Sequence, residues 1–200
     1  MGYEKTTIRA IADKVGITHG SIMSHYNSKV EIAVQVVFRY IQGLQQKCAE
    51  IYPKLPTSGV EDEAYYREML WWTLHFRLLS DNPAFREFYV KFNHEGPIAL
   101  AEIFSLQPTP PFGQRRIAVN RAEEFVTMSL VTAVDTNLAH LIGFGMIDFV
   151  QAALLIIKHS IAVGYIDLAV PTEQAIRSFA EQYVADIKID VLNELLLKDD

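Results

Sequence analysis

Cysteine is almost missing from this chain. Cys48 is the single thiol in 200 residues, which rules out an internal disulfide framework and a Cys-based zinc site and fits a reducing, cytoplasmic setting. No N-terminal stretch has the pattern of a signal peptide. Long apolar runs are also lacking. Asp135, Asp148 and Lys158 interrupt them before the roughly 20 residues that a membrane span needs, so the expectation is a soluble protein with no membrane partner. Chemistry-bearing motifs are equally scarce. The six histidines are scattered, with no H-E-x-x-H or i, i+4 metal spacing, and there is no G-x-S-x-G, P-loop or G-x-G-x-x-G. Glu123 and Glu124 are adjacent, so on a helix they point in different directions and read as a solvated face. Asp199 and Asp200 read as a frayed tail. These absences argue against an enzyme, and no metal or cofactor is expected.

What is present is apolar mass. Hydrophobic residues make up 50% of the chain, enough to bury a sizeable core and to exclude bulk disorder. The net charge of −6 is unevenly spread. Residues 1–45 hold five basic side chains (Lys5, Arg9, Lys14, Lys29, Arg39) and three acidic ones (Glu4, Asp13, Glu31). The remaining residues hold 13 basic and 21 acidic side chains. The pattern is a small, slightly basic head on a larger acidic body.

Glycine and proline punctuate the chain at Gly16, Tyr52–Gly59, Asn93–Pro97, Gln107–Gly113 and Gly164–Pro171. Between these breaks the period is helical. Ile8, Ile11 and Val15 share a first face. Ile32, Val36, Tyr40 and Leu44 follow at i+4 in a longer helix, with Ser28 and Glu31 as an S-x-x-E capping box at its start. Further helices are expected over 61–80, 84–92, 97–106, 115–142, 146–163 and 172–197. No strand with turn chemistry and no internal repeat stands out, so the expected class is all-α.

The segment Thr7 to Tyr26 has the mechanics of a helix-turn-helix. Ile8, Ile11 and Val15 form the buried face of its first helix, and Ala12 is small where a second helix crosses. Gly16 supplies the positive φ that ends the helix. Ile17 plugs the corner and Thr18 caps the next helix. Ile22 and Tyr26 face the core, which leaves His19, Gly20, Ser21, Met23 and His25 outward, towards a major groove.

The pattern Thr6-Thr7 … Ile11-Ala12 … Val15-Gly16-Ile17-Thr18-His19-Gly20-Ser21-Ile22 … His25-Tyr26 … Ser28-Lys29 resembles the N-terminal domain of TetR/AcrR regulators. The resemblance covers about the first 45 residues. It implies a small DNA-binding head over 1–45, with the helix-turn-helix at 7–26, and a ligand-binding and dimerisation body over 46–200. The implied function is that of a dimeric repressor released from double-stranded operator DNA by a small, largely apolar effector. The DNA-binding set it implies is Thr7, Thr18, His19, Gly20, Ser21, Met23, His25, Tyr26 and Lys29. Thr7 and Lys29 would meet phosphate, and residues 18–21 would lie nearest base edges. Met23 departs from the tyrosine usual there, removing one phosphate hydroxyl. His19 and Gly20 offer little strong base readout, so the operator does not follow from the sequence. The family also carries a complete helix ahead of the segment that Gly2–Thr7 matches. These residues do not include it, which favours a late start of the given chain over an incomplete head, and leaves Ile8, Ile11 and Ile22 partly uncovered.

In the body, Trp71, Trp72, His75, Phe76, Phe88, Phe92, Phe125, Met128, His140 and Phe144 are the expected lining of an effector pocket, with His75 or His140 as its polar handle. The competing reading of each is ordinary core. Residues 146–163 are apolar nearly all round, and 172–197 carry the stripe Ile176, Ala180, Tyr183, Ile187 and Val191. The expectation is a two-fold pairing through these two helices. The alternatives are that 172–197 packs on its own body, and that the chain is an all-α ligand-binding or interaction module that has lost DNA binding.

Overall fold

A computed structural model describes residues 2–56, 59–95, 121–189 and 191. The described residues are all-α, without a strand. A 3-10 turn over Tyr3–Lys5 precedes α1 (Ile8–Val15), α2 (His19–Met23) and the long α3 (Lys29–Ile51). Then follow α4 (Val60–Asp81), α5 (Pro83–Glu95), α6 (Arg121–Gly143), α7 (Phe149–Ala162) and α8 (Glu173–Tyr183). The expected helix at 97–106 lies outside the described residues.

Caps fix where these helices begin. The Ser28 hydroxyl accepts the Glu31 N–H at 3.1 Å, as a capping box requires, but the Glu31 carboxylate reaches back to the Asn27 N–H at 2.6 Å rather than to Ser28. α7 starts later than its apolar pattern suggests, because Asp148 and Gln151 form a complete reciprocal box. Thr172 caps α8 by accepting the Ala175 N–H at 3.1 Å.

α4 is the central helix and packs against α3, α5, α6, α7 and α8. From Glu68 to Phe76 it is buried on every side, which accounts for the absence of a clear polar face in that stretch. α6 is long and apolar enough, over Phe125–Gly143, to cross a membrane by length and composition alone. Here it is a core helix, packed on α5 and α7, with Asp135 buried near its middle.

Helix α8 differs from expectation. It ends at Tyr183 instead of continuing to 197. Arg77 of α4 takes up the carbonyls of Val184 and Ala185 at 2.7 and 2.8 Å, so the chain turns along α4 rather than extending. Ile176, Phe179 and Ala180 are buried because α8 lies against α4 and α7. Its apolar stripe is therefore spent within the chain.

Candidate DNA-reading head and a buried polar centre

Thr7 caps α1, its hydroxyl accepting the Ala10 N–H at 3.1 Å. Gly16 then adopts φ +73°, a left-handed conformation that favours glycine, and the chain reverses into α2. Thr18 caps α2 twice over: its hydroxyl accepts the Ser21 N–H at 3.0 Å and shares a hydrogen bond with the Ser21 hydroxyl at 2.8 Å. Ile22 and Ala12 are buried where the two helices cross. With Ile22 inward, His19, Gly20, Ser21, Met23 and His25 are exposed, as are Thr7 and Thr18, and Tyr26 is half-buried.

Two expectations for the head are corrected. Val15 is 59% exposed and Ile17 49%, so neither belongs to a buried face or corner. The two short helices pack on each other. Ile8 and Ile11 are half-buried, whereas Ile22 is covered. Lys29, at the start of α3, is half-buried. Its ammonium donates to the Tyr3 carbonyl at 3.2 Å and lies 4.1 Å from the Tyr3 ring centroid. A cavity of about 520 Å³ opens beside this pair, walled by Ile11, Ile32, Ala33, Val36 and Phe88.

The body residues chosen for their aromatic character divide into two groups. Trp71, Trp72, His75, Phe76, Phe92 and Met128 are buried, and Phe88 and Phe125 are half-buried. His140 and Phe144 are exposed and stack on each other at 4.5 Å. They lie on the outer side of α6 and its following turn, so they do not line an interior pocket with the others.

His75 is instead the middle of a polar network drawn from four helices. Tyr40 of α3 meets its Nδ1 at 2.9 Å, and Asp135 of α6 meets its Nε2 at 3.0 Å. Tyr89 of α5 donates to the other Asp135 oxygen at 2.5 Å. Alongside, Asn93 donates to the Thr136 hydroxyl at 3.0 Å, and that hydroxyl donates to the Thr132 carbonyl at 2.8 Å. Burial, with Asp135 nearby, holds the Tyr40 and Tyr89 hydroxyls well above the ordinary tyrosine range. Pattern reading found His75 and missed Tyr40, Tyr89, Asn93 and Thr136. The available signal was Asp135, one carboxylate in the apolar run Leu130–Ile142.

The family model "Bacterial regulatory proteins, tetR family" matches residues 1–36. No curated protein and no solved structure matches the chain.

Proposed function

We propose that this chain, whose residues 1–36 match the tetR-family model, is a transcriptional repressor that binds a palindromic operator as a dimer and leaves it when a small effector enters the body. The observation that carries this reading is the α2 surface. Thr18 and Ser21 fix the start of the helix, Ile22 anchors it, and His19, Gly20, Ser21, Met23 and His25 stand in solvent together. We assign a head over 1–45 and a body over 46–200, joined by the unbroken α3. Thr7 contacts phosphate through the N-terminus of α1. Tyr26 closes the segment against the core, and Lys29 positions the Tyr3 segment.

The dimer surface follows from what α6 leaves uncovered. Val126, Leu130, Ala133, Asn137, His140 and Phe144 are all exposed and recur at alternating steps of three and four. That spacing is the seam of a helix pair. Leu155 of α7 is exposed as well. The two-fold partner therefore docks on α6 and α7, not on the segment after 172, whose stripe is consumed internally.

Selection from a random duplex library by the full chain, followed by titration against salt, tests the DNA reading. The expected result is a palindromic sequence bound with a steep salt dependence. A chain that enriches no sequence overturns it. The exposed Val15 and Ile17 favour a second reading, an all-α ligand-binding module whose thin head no longer reads DNA, and that reading gains from the same negative result.

A further inference from the structure

The cavity beside Tyr3 lies where the N-terminal turn, α1, α3 and α5 come together. Its volume of about 520 Å³ is that of a small-molecule site. Ala33 is buried, and Ile11, Ile32, Val36 and Phe88 are half-buried, so these five make an apolar floor. Gly2, Ala84 and Glu87 are exposed and mark the mouth. Aliphatic surface drawn from separate helices thus faces a space that water fills poorly.

The charges on the wall say what kind of guest the space accepts. Lys29 and Glu87 both border it, and each is engaged within the chain. The Lys29 ammonium bonds the Tyr3 carbonyl and lies over the Tyr3 ring. The Glu87 carboxylate accepts from Lys91 at 2.8 Å. A charged guest has to break one of these contacts to be neutralised, or else lose its hydration without return. An uncharged apolar guest disturbs neither and covers the floor. Size points the same way. The 520 Å³ equal little more than one turn of a helix about 10 Å across, too short a contact for a folded partner.

We propose that this cavity binds a small, uncharged, apolar molecule between the head and the body. The guest touches Ile11 of α1 and Phe88 of α5 at once, with α3 beneath both, so a filled cavity ties the first helix of the head to the body. The site is separate from the interior of the body. Of the aromatic residues expected to line an effector pocket there, Phe88 is the one on this wall among the described residues. Binding here depends on the cavity and not on DNA, so a chain that enriches no operator still has the site.

The experiment titrates the full chain with N-phenylnaphthylamine, an uncharged dye that brightens in apolar surroundings. A parallel titration uses its sulfonated counterpart, which carries the same rings and a negative charge. Methyl spectra locate each dye. The expected result is saturable binding of the neutral dye, with shifts in the Ile11, Ile32 and Val36 methyls and slower amide exchange in α1. The sulfonated dye should bind roughly tenfold more weakly, the scale of one lost hydrogen bond to a charged group. Ala84→Trp narrows the mouth from an exposed position, so it leaves the fold intact and should abolish saturable binding. Val36→Phe fills the floor and should do the same; where it fails to fold, Ala84→Trp carries the test. Binding of the neutral dye that survives Ala84→Trp, or that shifts only methyls elsewhere, overturns the proposal. Equal affinity for the two dyes overturns the uncharged class. Shifts of the same three methyls on concentrating the dye-free chain put a second copy in the cavity and overturn it as well.

Discussion

The ammonium of Lys29 sits over the ring of Tyr3, 26 residues earlier, and bonds its carbonyl as well. Tyr3 in turn meets Phe88 and Phe92 of α5 edge-on, at 5.5 and 6.4 Å between ring centroids. One lysine at the start of α3 thus holds the N-terminal segment against the body. Lys29→Ala is expected to destabilise the chain by about 1 kcal/mol, the scale of a cation–π contact, in urea unfolding followed by circular dichroism. Tyr3→Ala should cost about 3 kcal/mol, as for other buried aromatics. The slope of log affinity against log salt for DNA should stay unchanged in Lys29→Ala. A slope shallower by about 0.9 would instead mark a lost phosphate contact.

The cap on α2 supports a second prediction. A helix of five residues is too short to persist on propensity alone, so the Thr18 hydroxyl carries an unusual share of its order. Thr18→Ala should cost about 1 kcal/mol and weaken DNA binding without changing which sequence is preferred. Thr18→Ser keeps the acceptor and should retain both. His19→Ala and Ser21→Ala should shift the preferred sequence. Equal losses on every sequence from all three alanine variants would sink the assignment of α2 as the reading helix.

The contrast between head and body explains what the sequence made legible. Gly16, Thr18 and Ser28 act through local backbone chemistry, so their roles can be read from a few neighbouring residues, and the structure places them accordingly. Val15 and Ile17 fit the same local pattern yet are exposed, since their burial depends on what lies over them, which spacing along one helix does not encode. The end of α8 is a similar case. Apolar periodicity continues through Ile187 and Val191, but Arg77, more than 100 residues earlier, captures the carbonyls of Val184 and Ala185. Asp135 was visible as an interruption of an apolar run. Its meaning required Tyr40, His75 and Tyr89, each on a different helix.

Burial of the phenols leads to a pH prediction. Tyr40 and Tyr89 have hydroxyls held well above the ordinary tyrosine value, first by desolvation and then by Asp135. The unfolded chain releases these protons near pH 10 and the folded chain does not. The stabilisation is thus complete below about pH 10 and is lost as the pH rises towards the folded-state values, at about 1.4 kcal/mol per pH unit for each group. Urea unfolding between pH 8 and 11 should display this decline. Tyr89→Phe should lower stability throughout, because it leaves one Asp135 oxygen without its donor, and should flatten the decline above pH 10. An unchanged slope in that variant would mean that Tyr89 ionises as freely in the fold as outside it.

The stripe on α6 gives the prediction that separates the two candidate dimer faces. Val126 and Leu130 are 57% and 47% exposed, and Phe144 is 69% exposed, whereas Ile176 and Phe179 on α8 are buried. A charge placed on the stripe meets its own copy across a two-fold axis and repels it, with little cost to the isolated chain, since the position is already in water. Leu130→Glu is therefore expected to sediment as a monomer with wild-type helix content. It should also lose high-affinity binding to a palindrome, because two heads no longer arrive together, while keeping weak binding to a half-site. Ile176→Glu should behave oppositely and lose helix content, because it puts a charge into the contact of α8 with α4 and α7. A Leu130→Glu chain that remains a dimer places the two-fold contact elsewhere and removes the α6 seam from the reading of this protein.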